Sequence, residues 1–152
     1  MKNKILILII FFSFFNGFAQ QFPLQSQYQF NYASMNPAAV GEFDYVKMVA
    51  SYRNQWVGFS KEAIATQYFT VTKGFGLSGL GLTLLSDKTG GAFSSTGFRV
   101  SYSHKVKYDN NELFLGISGG GTKMRISAID DPGLILNNTD FVPEASFGAC
   151  GY

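Results

Sequence analysis

Between Gly76 and Ile126 side-chain character changes with nearly every residue, a period of two that extended strands have and helices lack. In Gly79-Leu80-Gly81-Leu82-Thr83-Leu84 the leucines share one face, and Gly79, Gly81 and Thr83 the other. Gly97 to Lys107 sets Phe98, Val100 and Tyr102 against Arg99, Ser101, Ser103 and Lys105. Leu113 to Gly119 repeats the scheme, with Leu113, Leu115 and Ile117 opposite Gly116 and Ser118. Strands this two-faced have two uses. Their apolar side covers the core of a soluble sandwich, or it meets lipid while the small and polar side lines a lumen.

Charge favours the second use. Only 14% of the 152 residues are charged, against roughly a quarter in soluble domains. Aromatic residues make up 16% and glycines number 17, a balance that a membrane barrel tolerates. The net charge of +2 is spread along the chain and leaves no nucleic-acid footprint. Cys150 is the single cysteine, so an internal disulfide and a cysteine-based metal site are both excluded. The length supports one domain.

The N-terminus reads as an export signal over residues 1–19. Lys2 and Lys4 form a cationic n-region, Ile5 to Phe15 an apolar h-region, and Gly17-Phe18-Ala19 offers small residues to a signal peptidase. The apolar run is too short for a transmembrane helix. No cysteine follows the cleavage site, which argues against a lipoprotein anchor.

Residues 20–152 form the barrel region. Gln20 to Asn36 carries no charge and no sustained period, and ends where Asn36-Pro37-Ala38 punctuates the chain. Gly41 to Asp44 reads as a turn and Tyr45 to Arg53 as the first strand, with Val46, Met48, Ala50 and Tyr52 opposite Lys47, Val49, Ser51 and Arg53. A loop from Asn54 to Glu62 holds Trp56, and Ala63 to Thr72 is a second strand. Tight turns are expected at Lys73–Gly76 and Asp109–Asn111, longer loops at Ser86–Ser95 and Ser127–Asn138, and a sixth strand begins at Phe141. Short turns on one side and long loops on the other are the habit of outer-membrane barrels. The expected fold is all-β, an antiparallel transmembrane β-barrel present here as an incomplete N-terminal half of about five to six strands, where the smallest single-chain barrels have about eight. An unclosed sheet exposes edges that hydrocarbon cannot satisfy, so truncation of a longer protein is expected ahead of pairing between copies.

Several fragments imitate catalytic motifs. Gly74-Phe75-Gly76-Leu77-Ser78-Gly79 matches a dinucleotide fingerprint, but a strand follows it where the pyrophosphate needs a helix N-terminus. Gly116-Ile117-Ser118-Gly119-Gly120 has the letters of a nucleophile elbow, yet His104, the one histidine, precedes it. His104 reads as a barrel residue near the water interface. Asp130, Asp131 and Asp140 lack the regular spacing of a calcium loop, and Asn137-Asn138-Thr139 marks a loop more than a glycan. No catalytic, cofactor or metal residue is assigned, and the chain is read as no enzyme. Arg53 and Trp56 fit either an interfacial belt or a docking site, and Tyr28, Tyr32, Tyr45, Tyr52, Tyr102 and Tyr108 suit aromatic girdles.

Ser26-Gln27-Tyr28, Asn36-Pro37-Ala38 with Gly41, Tyr52-Arg53-Asn54-Gln55-Trp56-Val57-Gly58-Phe59, and Gly79-Leu80-Gly81-Leu82 leading to Asp87-Lys88-Thr89-Gly90 and Ser95-Thr96-Gly97 together resemble the PorP/SprF family. The resemblance spans nearly all of the mature chain. It implies a barrel of the type IX secretion system in the outer membrane of Bacteroidota, which supports protein secretion, surface attachment of adhesins and gliding motility. Expected partners are outer-membrane lipid, other secretion or gliding components and secreted adhesins, with no nucleic acid. Asn36, Pro37, Tyr52, Arg53, Asn54, Gln55, Trp56, Asp87 and Lys88 are the family-motif residues, with docking of a partner as their candidate role. Two other readings stay open: a passive channel for small solutes that would depend on lumen residues such as Arg99, Lys105 and Arg125, and a soluble secreted β-sandwich. Mass measurement of the exported protein should place its first residue at Gln20; a retained leader would contradict the signal reading.

Overall fold

The computed structural model describes residues 28–56, 58, 63–90, 93–108, 111–126 and 138–151. The expected signal peptide, the Asp130-Asp131 pair and Asn137 lie outside them. Strands β1 (Val46–Gln55), β2 (Ile64–Phe75), β3 (Ser78–Thr89), β4 (Phe93–Tyr108), β5 (Asn111–Ile126) and β6 (Asn138–Gly151) form one antiparallel sheet in sequence order. The fold is thus all-β, a partial barrel that is open at β1 and β6. β-branched and aromatic residues such as Thr66, Tyr68, Thr70, Val71 and Thr72 favour extension in β2. Gly76 turns the chain back between β2 and β3 with φ 69°, a conformation that costs glycine little.

The strands are longer than the alternation of apolar residues alone indicates. The expected loop Ser86–Ser95 is mostly ladder, because Asp87 pairs with Ser95 and Thr89 with Phe93, and the connection shrinks to residues 90–92. Asn54 and Gln55 belong to β1, Phe75 to β2, and β5 continues past Gly119 to Ile126. In these extensions apolar residues no longer alternate regularly with polar ones, so the side-chain period fades, while backbone hydrogen bonding continues regardless of side chain. The contrast in loop length therefore holds for residues 56–63 and 127–137 against Gly76-Leu77 and 109–110, but not for 90–92.

Register sorts the side chains into rows. Met48, Val71, Leu82, Val100, Gly119 and Ala145 align across the outward face, and Ala50, Phe69, Leu84, Phe98, Gly121 and Pro143 form the next row. On the inward face the corresponding row is Val49, Thr70, Thr83, Arg99, Gly120 and Glu144. Burial is inverted relative to a soluble protein: Ser101 is 2% exposed and Thr70 2%, whereas Ile117 is 59% and Met48 66% exposed. Nothing among the described residues covers the apolar side as a sandwich would, and an apolar surface this continuous is solvated by lipid. Among the described residues no helix is long and apolar enough to cross a membrane.

This placement is depth-dependent and can be measured. Leu82→Arg, in the middle outward row, should destabilise the protein in a bilayer by about 2–4 kcal/mol, whereas Ser86→Arg on the same strand and face, nearer the polar edge, should cost about 1 kcal/mol or less. Denaturant titration in lipid vesicles reads both, and equal costs would contradict a lipid-facing surface.

Candidate functional site

The concave side of the sheet is occupied by the chain's own N-terminal segment. Gly74, Gly79, Ser103, Gly116 and Gly148 are paired in register and form one inward row across β2 to β6 with almost no side-chain volume. Pro37–Gly41, a short 3-10 turn, lies in that trough. A Cβ on Gly116 would run into the backbone of Pro37 and Ala38, one on Gly79 into Gly41, and one on Gly148 into the Asn36 amide. Ala38, Ala39 and Val40 are consequently 0%, 5% and 2% exposed. Asn36 starts the turn by accepting the Ala38 N–H through its side-chain oxygen at 3.0 Å, and its amide donates to the Ala149 carbonyl at 3.2 Å. Pro37 follows at the position where a missing N–H costs nothing.

A polar layer joins this segment to the sheet on the side toward the longer loops. Asn31 donates to Thr70 Oγ1 at 3.0 Å, and Thr70 shares a 3.3 Å hydrogen bond with Thr83. Arg99 donates from Nε to Glu144 Oε1 and from a terminal nitrogen to the Ser34 carbonyl, both at 2.8 Å. One guanidinium thereby links β4, β6 and the N-terminal segment. Ser118 and Ser146 pair at 2.6 Å, and Thr66 and Thr89 both donate to Asp87. Buried groups of this kind are tolerable because they are bonded to one another. Ser103 Oγ, against Gly41, is the exception among the described residues.

The motif residues do not gather into one site. Asn36 and Pro37 belong to the segment in the trough. Tyr52 and Asn54 point outward near the longer loops, Arg53 and Gln55 point inward, and Trp56, just past the end of β1, is exposed. Arg53, Thr66, Asp87, Ser95, Met124 and Asp140 form an inward row, so Arg53 and Asp87 flank Thr66. Lys88, beside Asp87 in sequence, faces outward. Trp56 has φ 59°, a left-handed conformation that a bulky side chain rarely adopts. Of the three cations expected in a lumen, Arg99 and Lys105 point inward, but Arg125 points outward, because it lies an odd number of residues from inward-facing Gly120. His104 is exposed on the outward face.

The catalytic look-alikes resolve as structure. Gly74–Gly79 is the β2–β3 hairpin, and Gly116–Gly120 lies within continuous β5. Among the described residues no group of three His, Cys, Asp or Glu side chains could hold a metal. What sequence reasoning missed was the role of Ser34 and Ala38–Gly41. The signal available was the recurrence of glycine at inward positions on four strands, which becomes visible once the register is known.

An antiparallel sheet with an apolar outer face and a polar, filled inner face is the wall of a transmembrane β-barrel. Residues 17–150 match the family model for the type IX secretion system membrane protein PorP/SprF, and the chain belongs to that family. No curated protein and no solved structure gives a significant match.

Widening the glycine trough's occupant contact is the direct test of this packing. Gly116→Val should raise amide hydrogen exchange across residues 36–41 at least tenfold. Gly119→Ala, a position with no neighbour within 4 Å of an added Cβ, should leave it unchanged. Equal protection in both variants would contradict the packing described.

Proposed function

We propose that this chain is a non-enzymatic outer-membrane component of the type IX secretion system, which supports protein secretion, attachment of adhesins at the cell surface and gliding motility. The observation that carries the reading is the occupied inner face. A segment anchored by Asn36, Ser34 and Arg99 fills the space that a solute path through this part of the wall would need. That arrangement favours a rigid membrane platform over the passive channel. Export through a signal peptide of residues 1–19 would bring the chain to its membrane.

The motif residues divide into two roles in this reading. Asn36 and Pro37 hold the inner segment, while Tyr52, Asn54 and Trp56 present an aromatic and polar strip at the water interface, suited to docking other secretion components. The strained backbone of Trp56 supports such a role, since strain of this kind collects at functional contacts. Arg53 and Asp87 stabilise the same end of the wall from inside.

Deleting the gene should abolish secretion of adhesins and gliding while leaving uptake of small solutes at its normal rate. Trp56→Ala should reduce secretion with membrane insertion unchanged. Normal secretion together with impaired solute uptake would favour the channel instead.

A further inference from the structure

Negative charge in the strands is confined to one face of the sheet, where Lys47, Arg53, Arg99, Lys105 and Lys107 accompany it. Every described acidic residue in the strands, Asp87, Glu112, Asp140 and Glu144, falls at an inward position, whereas the outward positions carry Lys73, Lys88, His104, Lys123 and Arg125. Three of these cations lie together near the longer loops. Lys88, Ser94 and Arg125 are register partners on β3, β4 and β5, and Lys123 is partnered with Thr96 in the adjacent outward row. The Cα atoms of Lys88 and Arg125 are therefore about 10 Å apart, and those of Lys123 and Arg125 about 7 Å. All three side chains are exposed. Each can lift its charge toward the water while its stem stays against apolar neighbours.

Beside this cluster, on its membrane side, the outward surface is hollowed. A cleft of about 650 Å³ runs between Tyr52, Gln67, Phe69, Leu84, Ser86 and Thr96. Its walls change from hydroxyl and amide groups at the Ser86 and Thr96 row to Ala50, Phe69 and Leu84 one row deeper. The sequence of environments from loop to membrane centre is cationic, then polar, then apolar. A lipid has the same order, from charged headgroup through ester and sugar oxygens to acyl chain.

We propose that Lys88, Lys123 and Arg125, with the adjoining cleft, bind a lipid of the outer leaflet whose headgroup carries phosphate. The three cations neutralise phosphate oxygens, Ser94 and Thr96 donate to neighbouring oxygens, and one acyl chain lies over Phe69 and Leu84. Charge complementarity selects an anionic headgroup, since no acidic side chain at a described outward strand position opposes it. The membrane-wall reading above is its foundation, with the longer loops outside the cell.

The test reconstitutes the chain in phosphatidylcholine nanodiscs containing a few mole per cent of either diphosphoryl lipid A or the same glycolipid without phosphates, and reads retained glycolipid by native mass spectrometry. Wild type should retain the phosphorylated form at least tenfold more than the phosphate-free form. Combined Lys88→Gln, Lys123→Gln and Arg125→Gln should remove that preference, and Lys73→Gln, at the opposite end of the sheet, should preserve it. Equal retention of both lipids by wild type, or an unchanged preference in the triple variant, overturns the site while leaving the membrane reading intact. Resistance to alkaline extraction is measured in parallel. A wild-type chain that fails to insert in either bilayer overturns both.

Discussion

A peptide group surrounded by hydrocarbon has no water to bond, so each N–H and C=O must find its partner within the protein. The five ladders from Val46↔Lys73 to Ile126↔Asn138 meet that requirement for the interior strands. Everything else follows from it. Once the strands pair, the period of two assigns every side chain to lipid or to the inner face, and a substitution's cost depends on which side it enters. The outer edges of β1 and β6 carry the same requirement.

The inner face obeys a second requirement. Besides Tyr68 and Phe114 it buries many hydroxyl and charged side chains, and such groups are costly when dry and unbonded. The N-terminal segment resolves this by supplying partners. Asn31 completes the Thr70–Thr83 pair, and the Ser34 carbonyl together with Glu144 receives Arg99. Because these contacts reach β2, β4 and β6, the segment also braces strands that are not neighbours in the sheet. Glycine is what permits it: a side chain at Gly79, Gly116 or Gly148 would hold the two layers apart.

Much of the wall was legible in the sequence. Leu80, Leu82 and Leu84 against Gly79, Gly81 and Thr83 announces both the strand and its two faces, and the same holds for Phe98, Val100 and Tyr102. Boundaries were less legible. Ser86–Thr89 and Ser94–Thr96 carry no apolar alternation, yet they remain paired, because a backbone ladder is indifferent to the chemistry that makes a pattern readable. The motif residues were visible as a run, Tyr52 to Trp56, but a strand sends alternate members to opposite faces. Arg53 and Asp87 meet one environment, and Tyr52 and Lys88 another.

Local chemistry by itself determined the all-β class, the antiparallel order and the side of each strand that meets lipid, because these depend on spacing between near neighbours in the chain. Only the tertiary structure decided that Asn36 to Gly41 fills the trough, that Arg99 binds Glu144 and Ser34, and that Lys88, Lys123 and Arg125 share one outward corner. Those contacts join residues far apart in sequence, and they exist only once the register between strands has been set.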